Sequence, residues 1–416
     1  MAPDAPAMTD PWIISVDDHV DEPPDLWTSR LPSRFQDRAP RVDRHRARMR
    51  FEGVTPIIEK DIPDAGWVDF WVYDDIPRSP LMAVTHSVSF DEDELQAAYL
   101  ENRMMTYDDI APGCWQQDAR LAAMSQNHID ASVCFPNGVP GFCGRTFSVG
   151  DLELGLLCVQ AYNDWMIDEW TAGAGAGRLI PLTLVPLWDG ELAAAEVRRC
   201  ADKGSHAVSF CESPAGIGLP SFYDPSNFWD PFFAACQETE TIINLHIGSS
   251  GTNPTTSADA PYVITSVLMF QNSMHSVLDL IFSGVLERFP ALKFAYSEGQ
   301  IGWLPYVITR ADKTWADPHD GGVGIRIPRP PSTYVAGHIY GCIFDDDIAL
   351  TARDEIGVGQ IMWEVDYPHG ATSFPNTFAL AHKMCADAGL TDHERYQVFR
   401  GNAIEAFGLQ RFGITL

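Results

Sequence analysis

The segment WIISVDDH, residues 12–19, decides the fold. Its β-branched, apolar opening reads as a buried strand, and the strand ends in Asp17, Asp18 and His19. Residues i and i+2 of a strand point the same way, so Asp17 and His19 share one face while Asp18 points outward. An acid and an imidazole buried together need a partner, because an unpaired buried charge is costly. A cation is one such partner.

Moving outward, residues 20–115 do not read as alternating strand and helix. They are rich in Pro, Trp and Asp and contain FEGVTPII and WVDFWVYDDIP. This stretch is expected to be an insertion over one mouth of the fold, holding a small hairpin, with the aromatic residues of 66–72 and Trp115 walling a pocket. Beyond it a regular alternation begins. Strands are expected at 131–137, 178–187, 206–210, 241–248, 292–299, 334–344 and 358–369, with helical stretches between them such as DLELGLLCVQAYNDWMIDEW (151–170). About eight strands joined by helices imply parallel pairing with crossover helices. A closed (β/α)8 TIM barrel with a long insertion after the first strand leaves no free edge. An open doubly wound sheet loses its support, since neither G-x-G-x-x-G nor G-x-x-x-x-G-K-[ST] occurs.

Composition narrows the classes. The chain of 416 residues carries a formal charge of −29, which repels nucleic-acid phosphate. A small-molecule substrate is not excluded, because a bound cation inverts the local field. No apolar run reaches ~18 residues, so no membrane span is expected. The start, MAPDAPAMTD, lacks a basic segment and an apolar core and reads as a disordered tail (residues 1–11) ahead of one domain over 12–416. Nine cysteines in irregular spacing, with no C-x-x-C, argue against a disulfide framework and for a reducing, cytoplasmic setting.

In a barrel the reactive side chains sit at the C-terminal ends of the strands. Three otherwise apolar strands end in ligand-type residues: Asp17 and His19 on the first, His246 after IINL, and Asp366 after IMWEV. Two carboxylates and two imidazoles suit Zn²⁺, Mn²⁺ or Fe²⁺. Glu22, His275, Glu298 and His369 are further candidates, each for a second ion or for a hydrogen bond to a ligand. His206 starts its strand and His338 lies within one, so both are read as structural.

The runs DDHVDEPPDLWTSRLP, HIGSSG, FSGVLERFPALKFAYSEGQIGWLPYVITRAD, WEVDYPHG and RGNA (400–403), in that order, resemble the amidohydrolase-related family (amidohydrolase family 2) over residues ~12–410. That family includes γ-resorcylate decarboxylase and aminocarboxymuconate semialdehyde decarboxylase. The resemblance implies a metal held by Asp17, His19, His246 and Asp366, with Asp366 also exchanging a proton. The family's decarboxylases carry H-x-G on the sixth strand, where this chain has Ser297-Glu298-Gly299. Catalytic roles are therefore assigned to Asp366, Glu298 and His275.

The chain is thus expected to be a metal-dependent hydrolase or non-oxidative decarboxylase acting on a small carboxylic acid, with zinc as the leading ion and a second metal allowed. Two alternatives stay open: a dinuclear non-haem iron or iron–manganese oxygenase on the same fold, and a non-catalytic metal-binding partner subunit. A homo-oligomer is the expected assembly, with a hetero-oligomer containing a homologous subunit as the alternative.

Overall fold

The structure is a computed structural model that describes residues 11–52, 55–317, 327–370 and 372–415. The expected tail falls on residues 1–10, outside the described residues, apart from Pro11. Thirteen strands follow in order: β1 (Ile13–Val20), β2 (Arg41–Glu52), β3 (Thr55–Lys60), β4 (Gly66–Tyr73), β5 (Ile76–Met82), β6 (Met104–Met105), β7 (Ile129–Pro136), β8 (Leu179–Ile180), β9 (Ala207–Phe210), β10 (Ile242–His246), β11 (Phe294–Ser297), β12 (Ile339–Ile343) and β13 (Ile361–Trp363).

Eight of them are parallel, in the two runs β1-β7-β8 and β9-β10-β11-β12-β13. Backbone bonds join the runs at both ends. Thr183 N donates to Ala207 O (3.1 Å) and Ser209 N to Thr183 O (2.8 Å). At the other seam Asp366 N donates to Asp17 O (2.9 Å) and His19 N to Tyr367 O (2.7 Å). The fold is therefore TIM-barrel-like α/β. Helices cover the outer face, among them Leu152–Trp165, Gly190–Asp202 and Leu304–Ala316. The first two begin at Asp151 and Asp189, whose carboxylates accept the free N–H groups of the first turn.

The eight strands fall where the sequence pattern puts them; β1 keeps its expected length, β7 is one residue longer, and the other six are shorter. The expected strand over 178–187 keeps only Leu179–Ile180 and a single bridge at Thr183. Pro181 and Pro186 lack the N–H that a ladder needs. The interior and exterior of the sheet separate by alternation. Ile242 packs into an inner cluster with Ile14, Val16, Ala131 and Val133. Ile243 and Leu245 pack outward with the helices.

Residues 41–105 form more than the small hairpin expected. They build an antiparallel five-stranded sheet in the order β3-β2-β4-β5-β6. Arg44 crosses it to the buried carboxylate of Asp69 through two hydrogen bonds of 2.7 and 2.9 Å. All nine cysteines are buried and unpaired. Among the described residues no helix is long and apolar enough to cross a membrane.

The RGNA turn has a defined mechanical role. Asn402 Nδ2 donates to the carbonyls of Val358 (2.8 Å) and Ile361 (2.7 Å), tying the C-terminal helix to the start of β13. Asn402→Leu should leave both carbonyls unpaired and lower stability by about 1–3 kcal/mol. Thermal unfolding checks this; an unchanged midpoint would mean that the tie carries no stability.

Candidate metal centre

Asp17 and His19 reach the interior through an irregularity in β1. Ile14 and Val16 already face inward, so unbroken alternation would bring Asp18 in next. Between the pairs Ser15–Ser132 and Asp18–Cys134, however, β1 takes three steps against two on β7. This bulge re-aims the chain, as bulges beside reactive sites do. Asp17 and His19 now point in. Asp18 points away and stays buried, accepting from Ser132 Oγ and from Tyr367 N (3.0 Å). The Arg120 guanidinium lies under the same turn and donates to Gly113 O (2.7 Å) and His19 O (2.5 Å).

His246 ends β10. Its Nδ1 lies 2.6 Å from Ile247 O, which fixes the proton there and leaves the lone pair on Nε2. That Nε2 lies 3.1 Å from His19 Nε2 and 3.5 Å from Asp17 Oδ2. Asp366 follows β13, with Oδ1 at 3.2 Å from His19 Nε2. Asp17, His19 and His246 are fully buried and Asp366 nearly so. Asp366 (φ 63°) and Glu298 (φ 53°) both sit in the left-handed region, a backbone cost for a residue with a Cβ. In return, the carboxylate that follows β11 and the one that follows β13 are turned toward the same point.

The electrostatics explain what this point lacks. Burial, with Glu364 and Asp366 close by, pushes the Asp17 carboxyl well above its usual range. Burial, with Glu298 close by, does the same to Asp366. Burial, with His369 and His246 adjacent, lowers His19, and burial lowers His246, so both imidazoles are held neutral. Neither Asp17 oxygen has a hydrogen-bond partner, nor has Asp366 Oδ1. The His246 lone pair, His19 Nε2 and these oxygens converge on one point. A divalent cation fits such a donor set, and the bond-forming atoms of Asp17, His19 and His246 lie within 4.8 Å of one another.

A second group of the same kind, His19, Glu298, Asp366 and His369, adjoins the first. His369 stacks on His19 with centroids 3.8 Å apart. Six of the eight candidate residues stand in or against this cluster, or beside it: Asp17, His19, His246, Glu298, Asp366 and His369. Glu22 does not. It is buried next to Asp21, which with burial pushes it up to about 8, and its Oε2 accepts from Gly138 N (3.0 Å). His275 is a correction: it is exposed on the helix Gln271–Phe282, whose inward face is taken by Ser273 and Ser276, so it cannot reach the centre. His206 and His338 are structural as expected, each bonded through Nδ1 to a backbone carbonyl at 2.8 Å.

The walls also differ from expectation. Phe142 stacks on His246 at 3.9 Å, and Phe135 meets it edge-on at 4.9 Å. Trp71 and Trp115 instead pack on Tyr107, in the core under the antiparallel sheet, and Trp67 is exposed. A cleft of about 490 Å³, lined by Thr241, Ile242, Lys293 and Arg411, lies at the opposite ends of the strands and holds none of these residues.

The amidohydrolase family profile matches residues 30–409. The chain belongs to the amidohydrolase family. A γ-resorcylate decarboxylase from Polaromonas sp. is 26% identical over 318 residues, covering 71% of this chain and 88% of the relative. Among solved structures, an amidohydrolase from Mycobacterium avium superposes with a TM-score of 0.70 at 21% identity, covering 96% of this chain and 100% of the other. A dihydroxybenzoic acid decarboxylase from Polaromonas sp. JS666, bound to manganese and the inhibitor 2-nitroresorcinol, has a TM-score of 0.57 at 20% identity, covering 78% and 96%.

Sequence reading missed several residues of this amidohydrolase site. Glu364 stands two positions before Asp366 and accepts from Glu298 N (3.0 Å), so it ties the ends of β11 and β13 together. Its i, i+2 spacing to Asp366 was a usable signal. Asn137, Asp21 and Phe142 come from loops with no periodicity and carried none.

Cation binding requires Asp17 to be ionised, yet its buried carboxyl holds a proton to higher pH than usual. Protons therefore compete with the ion more strongly in acid. Saturating Mn²⁺ should raise the unfolding midpoint of the metal-free protein, and by more near about pH 7.5 than near about pH 5.5. Asp17→Asn should weaken Mn²⁺ by more than about 100-fold, beyond the ~10–100-fold loss typical of residues that merely orient a ligand. Thermal unfolding reads the first and calorimetric titration the second, and an Asp17→Asn affinity equal to wild type would remove Asp17 from the site.

Proposed function

We propose that this chain is a divalent-metal-dependent, non-oxidative decarboxylase of small aromatic carboxylates. The observation that carries this reading is the convergence of Asp17, His19, His246 and Asp366 at one buried point, with both Asp17 oxygens and Asp366 Oδ1 lacking a hydrogen-bond partner, in a chain whose relative is a resorcylate decarboxylase. In this reading the parallel strands close as one eight-stranded barrel, and residues 20–115 are an insertion after its first strand.

Asp17, His19, His246 and Asp366 would hold the ion, which when bound supplies Lewis-acid charge to orient and polarise a carboxylate or phenolate. Zinc, the ion favoured by the donor chemistry, draws no specific support from the relatives. The manganese in the dihydroxybenzoic acid decarboxylase makes Mn²⁺ the first ion to test. Phe135 and Phe142 present apolar ring surface beside the imidazoles, which suits an aromatic substrate and excludes water from it. Asp366 turns Oδ1 to the ion and would carry on its other oxygen the proton that it delivers. As the C–C bond to the carboxylate breaks, its electron pair stays on the ring carbon, that carbon takes the Asp366 proton, and CO₂ leaves. Asp366 then regains a proton from solvent. None of the relatives named above is an oxygenase, so the oxygenase reading gains no support from them.

With Mn²⁺ supplied, the purified protein should release CO₂ from at least one member of a hydroxybenzoate panel, followed by bicarbonate-coupled assay and product chromatography. Asp366→Asn should lower kcat by about 10²–10⁴ if the residue delivers the proton. Turnover of ester or amide substrates with no CO₂ from any carboxylate would replace this reading with a hydrolytic one.

A further inference from the structure

Three carboxylates converge on the centre: Asp17, Asp366 and Glu298. Glu298 and Asp366 each face both sides of the cluster. Glu298 Oε2 lies 3.9 Å from His246 Nε2, while its Oε1 lies 3.5 Å from His369 Nδ1. Asp366 Oδ1 lies 3.2 Å from His19 Nε2 and 2.8 Å from His369 Nδ1. Such carboxylates are placed to bridge.

The independent observation is the orientation of His369. Asn137 Nδ2 donates to Asp21 Oδ1 and to Thr85 O, both at 2.8 Å. With its NH₂ group committed, Asn137 turns its oxygen to His369 Nε2 at 3.0 Å. That nitrogen must therefore donate, and the neutral ring carries its lone pair on Nδ1. The lone pair is thus presented to Asp366 Oδ1, a buried oxygen that accepts no hydrogen bond. Asp21 is itself anchored by His86 Nε2 at 2.9 Å, so the row His86–Asp21–Asn137 is a rigid support for one tautomer of His369. Metal-bound imidazoles are commonly oriented through their other nitrogen in this way.

We infer that Glu298, Asp366 and His369 Nδ1 form a second divalent-cation site, bridged by Glu298 and Asp366 to the first ion at Asp17, His19 and His246. The inference rests on the metal-centre reading above. The donor set of carboxylate oxygens and one imidazole suits a first-row ion such as Mn²⁺ or Fe²⁺. Asn137 and Asp21 are positioning residues: they touch no ion and act through His369.

The probe is Mn²⁺ alone, added to the metal-free full chain and followed by calorimetry and low-temperature electron paramagnetic resonance. Wild type should bind two Mn²⁺ per chain and show the multiline signal of an exchange-coupled pair. His369→Ala should bind one Mn²⁺ and show an isolated-ion spectrum. Asn137→Leu, which keeps His369 but frees its ring, should weaken the second ion by about 10–100-fold and leave the first in place. The wild-type stoichiometry and spectrum decide the matter even if a variant does not fold. One Mn²⁺ per wild-type chain, kept in His369→Ala and lost in His246→Ala, overturns the second site and leaves the single-ion decarboxylase reading standing. No tight Mn²⁺ in wild type overturns both.

Discussion

The centre depends on the seam where the chain after β13 pairs with the end of β1. Asp366 N to Asp17 O and His19 N to Tyr367 O are two backbone hydrogen bonds between residues almost 350 positions apart. They set Asp17, His19 and Asp366 side by side before any side chain contributes. Ser15 adds to the seam: its hydroxyl accepts from Val365 N and donates to Asp17 O, both at 2.9 Å. With the main chain satisfied in this way, the side chains of Asp17 and Asp366 are left without donors. Their burial is then unfavourable unless a cation is present.

The surroundings keep that tension in place. Arg120, fully buried, spends its N–H groups on backbone carbonyls and on Cys134 Sγ, not on the centre's carboxylates, so it braces the turn without neutralising the site. Asp18, pushed up to about 6 by burial against the pull of Arg120, is used to hold the loop after β13. Glu364, raised by burial, holds the backbone of Glu298. Asp18, Arg120 and one oxygen of Glu364 are thus occupied away from the centre. The inward-facing atoms are the ones left free, and this is the arrangement a metal site requires before its ion arrives.

Glu212 extends the pattern toward β9. Burial pushes it up to about 8, and its Oε1 accepts from Ser273 Oγ at 2.9 Å. It stands on the same end of the strands as Glu298, whose charge adds to its shift. The net charge of −29 thus includes a concentration of acids inside this one end of the fold. Cation recruitment and carboxylate binding are both easier to reconcile with that concentration once positive charge is bound at its focus.

The sequence by itself determined the eight parallel strands, the helices between them, and the set Asp17, His19, His246 and Asp366. Apolar runs that end in ionisable residues are a local signal, and a parallel fold collects strand ends at one face. Glu298 and His369 were legible as candidates for the same reason. Only the tertiary structure decided the rest. It placed His275 outside on its helix, because the helix face, and not the residue type, sets which side chains point inward. It put Phe135 and Phe142 where a wall from the aromatic residues of 66–72 and Trp115 was expected, and built a five-stranded sheet where a hairpin was expected, since non-periodic loops and long antiparallel pairings leave no local mark. It also turned Asp17 inward through a bulge that alternation does not foresee, and fixed one tautomer of His369 through Asn137 and Asp21. These are contacts between segments far apart in the chain, and their geometry is a property of packing that no short stretch of sequence contains.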